Sequence, residues 1–462
     1  MKLLSVKWKN DPILGDLKLN FCNPLTGKAY DTVVFVGENG SGKSTIFNLL
    51  SRFISGYPIQ NMDELCYQID DQIYKAQPPD EEEQNWAGFY KIVSLDGTQT
   101  NIFSGISKNG GSTINSRDKT NKKNIRNYGC FYSPAEANFR TSPIRNITAK
   151  NWIKEQEKNS TDEQDYTSIK QMIIDLDDRD CRDFTFQCRE NPNFNHRWVD
   201  FQQKSNMFRF TNAINYFFNH IKYEKVIDIN NEKQILFSKN SSSVPIDSLS
   251  TGEKQIIFRA VDLLRHLDQL NNGCVFIDEP EISLHPKWAQ KILGYYQKLV
   301  TNGLNEQICQ LFIASHSEYV LAQALSDREN TLVIILTENN GKIVGQLVDD
   351  PVLLGESRLP EISYLAFGVP SSEYHNQLYG EIQNRFKCNS IKKCDEFLLT
   401  SNLFDPNRLT KPYVHNGCQY KCLSTYIRNC IDHPDNRQYA PEELQISIDF
   451  LREILKIQSM QS

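Results

Sequence analysis

A glycine-rich loop near the amino terminus constrains the fold of this chain more than any other segment. It reads Gly37-Glu38-Asn39-Gly40-Ser41-Gly42-Lys43-Ser44-Thr45 and directly follows a short β-branched apolar run, Thr32–Val36. Helical periodicity continues from Thr45 to Phe53. A Gly-x4-Gly-Lys-Ser loop between a buried strand and a helix lets backbone amides curl around phosphates, because glycine has no Cβ to obstruct them. The segment predicts a phosphate-binding loop in a parallel α/β domain.

The side chains of this loop are suited to a nucleoside triphosphate. Lys43 is expected to reach the β- and γ-phosphates, and the Ser44 hydroxyl is expected to bind Mg2+. The helix that begins near Lys43 adds the positive end of its dipole. The expected nucleotide contacts within the loop are Gly37, Asn39, Gly40, Ser41, Gly42, Lys43, Ser44 and Thr45.

A second apolar run ends in two carboxylates. The run Gly273–Ile277 is followed by Asp278 and Glu279, which is typical of a buried strand with acids at its carboxyl end. Asp278 is expected to hold the Mg2+ shell, and Glu279 to orient and activate an attacking water.

Two further segments suit an anion. Leu249–Gln255 places Ser250 and Gly252 at the start of an amphipathic helix, where a serine and a glycine make an anion site. Gln310–Ala314 is another buried apolar run, and His316 follows it closely. At that position the histidine can meet a terminal phosphate.

These four segments together resemble the ABC-type ATPases, specifically the branch that includes SMC, RecF and OLD-like proteins. Leu249–Gln255 matches the L-S-x-G-E-K-Q signature of that branch, and Glu281–Pro286 matches its E-x-x-L-H-P stretch. The resemblance implies ATP hydrolysis with Mg2+ and a D-loop at 283–285. It implies that the catalytic residues are Lys43, Glu279 and the switch histidine His316.

The resemblance also implies a shared site. In this family the signature of one subunit closes over ATP held by the other, so a homodimer or higher oligomer is expected. Ser250, Gly252 and Glu253 are the residues expected to contact the partner's ATP. A glutamine-bearing loop should precede the signature, but 128–136 occupies its place without a glutamine. Glu136 is one candidate for that role, and a different coupling is the other.

The implied fold is α/β, an ABC-type P-loop NTPase head with a mixed sheet and flanking helices. About 205 residues separate Lys43 from the signature, without sustained heptads, which excludes long coiled-coil arms. Strand-like alternation at 225–238 resumes the head, and no strand is predicted after about 351. The expected divisions are 1–145 as the first lobe, 146–224 as a helical insertion, 225–350 as the second lobe, and 351–462 as an α-helical partner-binding or effector region.

Composition sets broad limits. The chain is 39% hydrophobic and 23% charged, and no run approaches the roughly 18 apolar residues of a membrane span. A cytoplasmic location is expected, because the first residues lack the apolar core of a signal peptide. The net charge of −6 argues against non-specific coating of nucleic acid. The basic loop at 108–126 is either a solvated loop or a nucleic-acid contact.

The last hundred residues resemble the corresponding region of bacterial anti-phage defence ATPases, the PtuA subunits of Septu and related retron systems. The resemblance lies in Glu361–Pro370, Glu373–Gly380 and Tyr426–Asn436. It implies a sensor or regulatory ATPase that works with a separate HNH nuclease subunit of the PtuB kind.

Two other features of this region keep alternatives open. Arg428-Asn429-x3-His433 fits the R-N-x3-H signature of HEPN ribonucleases, in which arginine stabilises phosphate charge and histidine acts as acid or base. A structural or partner-docking helix explains it equally well. A RecF-like DNA-repair ATPase is a third hypothesis, disfavoured by the acidic charge. Cys388, Cys394, Cys418 and Cys422 have spacings looser than a usual zinc knuckle, so they are either zinc ligands or free thiols.

Overall fold

The structure is a computed structural model of the chain. It describes the residues in the following ranges: 1–57, 61–78, 90–94, 97–102, 122–135, 167–190, 197–198, 201, 207–229, 232–266, 270–282, 284–302, 306–339, 341–347, 353–354, 359–415, 417–433 and 438–459. Within these ranges the chain forms two compact units, Met1–Gly345 and Gln346–Ser462. No helix of the described residues is long and apolar enough to cross a bilayer.

The first unit is built on a six-stranded sheet that contains the buried runs of the sequence. Its strands, in spatial order, are β15 (Lys342–Leu347), β14 (Thr331–Asn339), β3 (Thr32–Val36), β13 (Gln310–Ser315), β12 (Cys274–Asp278) and β8 (Cys130–Ser133). The five strands from β14 to β8 pair in parallel. Every residue of β3, β12 and β13 is buried, as expected for parallel strands with both faces covered. Their carboxyl ends therefore lie side by side at one edge.

A second sheet of the first unit is antiparallel. Its order is β2-β1-β4-β5-β6-β7, with β1 at Lys2–Trp8, β2 at Lys18–Asn20, β4 at Met62–Ile69, β5 at Gln72–Gln77, β6 at Tyr90–Ser94 and β7 at Gln99–Ile102. Gly97 lies between β6 and β7 with a φ of +80°, which a turn between two strands requires. Buried side chains alternate with more exposed ones along β2, β5 and β6, as expected for antiparallel strands with one face packed and the other facing solvent.

A small three-stranded sheet precedes the signature. Its strands are β9 (Ile221–Ile229), β10 (Glu232–Lys239) and β11 (Ser242–Pro245), all antiparallel. The alternation predicted as one segment at 225–238 is thus a hairpin that begins at Ile221. The prediction was too short because the helix before it, α3, ends at Phe217 in an aromatic segment that masks the change of period.

The helices of the first unit flank these sheets. They are α1 (Lys43–Ile54), α2 (Thr167–Glu190), α3 (Phe208–Phe217), α4 (Thr251–His266), α5 (Pro286–Ala289), α6 (Ile292–Leu299) and α7 (Glu318–Leu325). The first unit is therefore an α/β P-loop NTPase fold with a mixed sheet and flanking helices, and α2 and α3 lie within the predicted helical insertion.

The second unit is mainly helical. Its helices are α8 (Leu359–Phe367), α9 (Ser372–Arg385), α10 (Ile391–Thr400), α11 (Pro406–Leu409), α12 (Leu423–Asp432) and α13 (Pro441–Ser459). The expectation that strands stop after about 351 is wrong, because Thr410–His415 and Cys418–Cys422 form the antiparallel hairpin β16–β17. Pro412 concealed it: proline cannot donate to a ladder, and the register shifts between Thr410 and Tyr413.

A buried carboxylate ties this hairpin to a helix. Asp395 on α10 is 4% exposed, and its two oxygens accept hydrogen bonds from the backbone amides of Lys421 (3.1 Å) and Cys422 (3.0 Å). Hydrogen bonds to a charged acceptor are stronger than neutral ones, and losing them leaves amides unpaired. Asp395 therefore anchors β17.

We predict that Asp395→Ala destabilises the second unit by about 2–3 kcal/mol, because two backbone amides lose a charged acceptor. The measurement is urea unfolding of the full chain followed by far-ultraviolet circular dichroism. Glu396→Ala is the matched control, since Glu396 is the exposed neighbour on the same helix, and it should shift stability by less than about 0.5 kcal/mol. Equal unfolding midpoints for the two variants would contradict the anchoring role.

Candidate nucleotide-binding site

The glycine loop closes at the end of β3 with a backbone that only glycine tolerates. Gly37 has a φ of +156°, and a Cβ on it would lie 2.3 Å from the carbonyl oxygen of Leu336 on β14. Gly42 has a φ of +87° and is the residue at which α1 begins. The loop is therefore pressed against the sheet at Gly37, and it turns into the helix at Gly42.

Lys43 lies inside this loop. It is 4% exposed, and its Nζ donates to the carbonyl oxygens of Gly37 (2.8 Å) and Glu38 (2.9 Å) and to Ser41 Oγ (3.4 Å). Burial lowers the pKa of the Lys43 ammonium, although Glu279 and Asp278 act against that shift. The loop thus holds a buried cation where a phosphate chain would neutralise it.

Asp278, at the end of β12, is the buried acid of the site. It is 2% exposed, and the Ser44 and Tyr132 hydroxyls lie close enough to its carboxylate to act against the effect of burial on its pKa. Among the residues that the structure describes, none donates a hydrogen bond to its Oδ1. Burial raises the pKa of Asp278. Burial also raises the pKa of Tyr132 to about 12, and the nearby Asp278 carboxylate adds to that shift.

These oxygen donors fit a magnesium ion. Ser44 and Asp278 were predicted together as metal ligands, and their side chains lie close enough for the Ser44 hydroxyl to act against the effect of burial on the pKa of Asp278. Mg2+ prefers a hydroxyl and a carboxylate of this kind, with phosphate and water oxygens completing its shell. The buried Oδ1 without a donor is the position at which a cation would remove the greatest electrostatic cost.

Glu279 and His316 face each other across the neighbouring strand ends. Glu279 has a φ of +44°, a left-handed conformation that is strained for this residue type. Its amide donates to the carbonyl oxygen of Ala314 (2.9 Å), which fixes the strained turn to β13. One carboxylate oxygen then lies 3.2 Å from His316 Nδ1. The predicted catalytic pair is therefore adjacent in the folded chain.

The signature starts α4 with a reciprocal cap. The amide of Glu253 donates to Ser250 Oγ (3.4 Å), and the amide of Ser250 donates to the Glu253 carboxylate (2.8 Å), which is a capping box. Ser250 is exposed, and Gly252 packs against the Trp288 ring, since a Cβ on it would lie 3.2 Å from Trp288 Cζ3.

Glu253 has a structural partner besides its cap. Its carboxylate oxygens each lie 2.9 Å from Lys239 Nζ, and the residue is 4% exposed. Burial alone would raise the pKa of Glu253, but Lys239 and the capping hydrogen bonds lower it overall. Glu253 therefore fixes the start of the signature helix, whereas Ser250 remains accessible.

The sequence did not single out Arg259. This residue lies on α4, is 8% exposed, and donates from Nη2 to the carbonyl oxygen of Ala135 (2.8 Å). Ala135 follows β8 and precedes Glu136, which lies outside the described residues. Arg259 thus joins the signature helix to the segment expected to take the place of the glutamine loop. An arginine on the apolar side of an amphipathic helix is the signal that could have revealed it.

The basic loop is outside the described residues from 103 to 121. Its last member, Arg126, is not a solvent-facing contact: it is 2% exposed, and its guanidinium stacks between the rings of Phe53 (4.9 Å) and Tyr90 (4.6 Å). Burial lowers its pKa to about 10. Neither expectation for this loop, a solvated cation or a nucleic-acid contact, holds at Arg126, because the flanking aromatic residues bury it.

Two residues of the predicted D-loop, Ser283 and His285, lie just before α5 in the sequence. Ser283, part of the predicted D-loop, lies outside the described residues. His285 caps α5, because its Nδ1 accepts from the amide of Lys287 (3.2 Å).

The residues of the ribonuclease alternative are engaged with neighbours in the second unit. The guanidinium of Arg428 lies 2.6 Å from the Asp432 carboxylate, one turn along α12, and donates to Asn429 Oδ1 (2.8 Å). His433 ends that helix and stacks on His415 at 5.0 Å between ring centroids. The arrangement favours the structural reading of this motif.

The cysteines of the second unit do not assemble a metal site within the described residues. Cys388, Cys394 and Cys422 pack in its hydrophobic core. No group of three or more histidine, cysteine, aspartate or glutamate side chains suited to a metal occurs in the described part of the chain. Burial raises the pKa of the Cys394 thiol to about 12.

The chain matches a known family over part of its length. Residues 99–322 match a family model described as "AAA domain, putative AbiEii toxin, Type IV TA system". The matched segment is a little under half of the chain. It contains the signature, the acids after β12 and His316, and the glycine loop lies before it.

Two curated relatives are similar over short segments. The "Retron Vc95 probable ATPase" of Vibrio cholerae serotype O1 biovar El Tor is 37% identical over 99 residues, 20% of this chain and 18% of that protein. The "Retron Ec83 probable ATPase" of Escherichia coli is 33% identical over 95 residues, 19% of this chain and 16% of that protein. The matched part of the chain thus spans less than a fifth of the length of these relatives.

Solved structures of SMC heads align over most of the chain. An SMC head bound to the C-winged helix domain of ScpA is 12% identical, with 76% of this chain and 98% of that chain covered and a TM-score of 0.38. The SMC head domain from Thermotoga maritima is 14% identical, with 76% and 100% covered and a TM-score of 0.35. Because these TM-scores are low, the alignments carry no argument about the fold, which rests on the strand order given above.

We predict that Asp278→Asn stabilises the nucleotide-free protein at neutral pH. Burial raises the pKa of Asp278, so its ionisation costs the folded chain more than the unfolded chain. That cost is absent below the ordinary carboxyl range and fully present above the raised pKa. The thermal midpoint of the variant should exceed that of the wild type near pH 7.5, and the gain should vanish as pH falls towards about 4.

The control is Glu329→Gln, which removes an exposed acid from the same unit and should leave the midpoint unchanged at both pH values. Mg2+ with ATP should raise the midpoint of the wild type more than that of Asp278→Asn, because the variant lacks the charged metal ligand. A lower midpoint for Asp278→Asn at neutral pH would contradict the buried-charge argument.

Proposed function

We propose that the chain is an ATPase that binds and hydrolyses ATP with Mg2+. One observation carries the proposal: the ends of three adjacent parallel strands bring together Lys43, Asp278, Glu279 and His316. Phosphate binding, metal binding and water activation need these groups at one place.

Each residue has a stated part in the proposed reaction. Lys43 exchanges its carbonyl partners in the loop for phosphate oxygens, and Ser44 and Asp278 hold Mg2+, which offsets phosphate charge when bound. Glu279 orients the attacking water and receives its proton. His316 lies beside Glu279, so it can contact the terminal phosphate while Glu279 contacts the water.

We further propose that the site is completed by a second copy of the chain. The support is the exposed Ser250 at the start of α4, with its orientation fixed by Glu253 and Lys239. A helix start with an exposed hydroxyl and a glycine suits a phosphate supplied from outside the chain. Head-to-head closure over ATP would then link the nucleotide state to dimerisation.

The biological role that we propose is that of a sensor or regulatory ATPase in a bacterial anti-phage defence complex, with a separate HNH-type nuclease as its effector. The resemblance of the last hundred residues to PtuA subunits supports this role. The names of the two retron relatives are in keeping with it. The ion pair between Arg428 and Asp432 makes an intrinsic ribonuclease the weaker alternative, since that guanidinium is already neutralised.

We predict that Glu279→Gln binds ATP but turns it over at least about 100-fold more slowly than the wild type, because the water loses its base. At saturating ATP it should accumulate as a dimer, measured by light scattering after size exclusion. Lys43→Ala is the companion variant and should lose nucleotide affinity. A monomeric Glu279→Gln would contradict the signature assignment, and unchanged affinity in Lys43→Ala would contradict the loop assignment.

We also predict that the purified chain alone does not cleave tRNA, and that a nuclease subunit co-purifies when the chain is expressed from its native operon. The nuclease activity of that complex should differ between the wild type and Glu279→Gln, because the variant holds one nucleotide state. His433→Ala should leave it unchanged. Cleavage of tRNA by the chain alone that His433→Ala abolishes would overturn the regulatory proposal in favour of the ribonuclease.

A further inference from the structure

A buried carboxylate lies directly under the switch histidine. Glu281 is two residues past Glu279, and its side chain is 5% exposed. Its Oε1 accepts a hydrogen bond from Ser315 Oγ (2.5 Å) and another from the backbone amide of His316 (3.2 Å). The carboxylate therefore holds the last residue of β13 and the residue that follows it.

The same contacts continue into the next helix. The amide of Ser317 donates to Ser315 Oγ (2.9 Å), and Ser317 in turn caps α7 through its own hydroxyl. The turn between β13 and α7 is thus fixed on both sides of His316 by side-chain hydrogen bonds that converge on Glu281. Such a turn leaves little freedom to the backbone from which the imidazole projects.

The imidazole itself lies between two acids. His316 Nδ1 is 3.2 Å from a Glu279 oxygen and 3.8 Å from Glu281 Oε1. Only the first distance suits a direct hydrogen bond. Glu281 therefore acts on the backbone and on Ser315, whereas Glu279 contacts the ring.

We infer that Glu281 is a positioning residue for ATP hydrolysis, which holds the β13–α7 turn so that His316 stays beside Glu279. The inference rests on the proposed ATPase function. It assigns a role to the first acid of the E-x-x-L-H-P stretch that the sequence alone did not give. A positioning role predicts a large loss in turnover and little change in nucleotide binding, because none of the described hydrogen bonds joins Glu281 to the loop residues 37–45, and its charge acts on Lys43 less than those of Glu279 and Asp278 do.

The test separates the acceptor oxygen from the negative charge. Glu281→Ala removes the acceptor, so kcat should fall about 10- to 100-fold, the range expected when a catalytic group is misplaced by about 1 Å. The dissociation constant for a fluorescent ATP analogue should stay within about twofold of the wild type. Glu281→Gln keeps a carbonyl oxygen for Ser315 and His316, and should retain kcat within about threefold.

Ser315→Ala tests the contact from its other side without removing a charge. It deletes one of the two donors to Oε1, so it should lower kcat by less than Glu281→Ala does. The double variant should be no slower than Glu281→Ala, because the two side chains act through one contact. Thermal unfolding of every variant establishes that it is folded, and Ser315→Ala with Glu281→Gln carries the test if Glu281→Ala does not fold.

The outcomes distinguish this inference from the proposed function. No hydrolysis by the wild type overturns both. Hydrolysis by the wild type with an equal kcat in Glu281→Ala overturns the positioning role alone. Equal losses in folded Glu281→Ala and Glu281→Gln also overturn it, because the charge and not the acceptor would then matter. Three results together support the positioning role: a lower kcat in Glu281→Ala, a kcat near that of the wild type in Glu281→Gln, and a double variant that is no slower than Glu281→Ala.

Discussion

The parallel pairing of β3, β13 and β12 is the constraint on which the rest of the first unit depends. Each strand is buried throughout, so burial of apolar area stabilises the sheet and leaves no side chain free for chemistry along its length. The polar groups of the site lie at the carboxyl ends of these strands or just after them. Their adjacency is a consequence of strand order, since their sequence positions are far apart.

The same arrangement places opposite buried charges close together at some cost. Lys43 and Asp278 are both nearly inaccessible, and burial opposes the charged form of each. Lys43 Nζ has three acceptors within its loop, whereas Asp278 Oδ1 receives no hydrogen bond from the described residues. The carboxylate is therefore the group whose burial is incompletely compensated by the protein. In the proposed complex, Mg2+ would supply the missing partner of Asp278, and phosphate oxygens would replace the loop acceptors of Lys43. The strained turn at Glu279, held by Ala314, is a second local cost that coincides with function.

Much of this site could be predicted because its motifs are local. The glycine loop, the acids after β12 and the signature each combine a recognisable residue set with a change of hydrophobic period. Two features differ from the sequence predictions. Arg126 is read as a solvated cation from its basic neighbours, but Phe53 and Tyr90 enclose it. The hairpin β16–β17 was not predicted because Pro412 interrupts its pattern. The residue that anchors it, Asp395, lies on the helix α10, which is separate from the hairpin in sequence.

The sequence by itself indicated the buried strands of the first unit, the glycine loop and the groups that we propose to bind phosphate and metal, since period and glycine placement encode these locally. Only the tertiary structure decided which groups meet. It buries Glu253 in an ion pair with Lys239, and it brings the Glu281 carboxylate against the backbone amide of His316. Those contacts depend on packing between segments distant in sequence, and no local pattern carries that information.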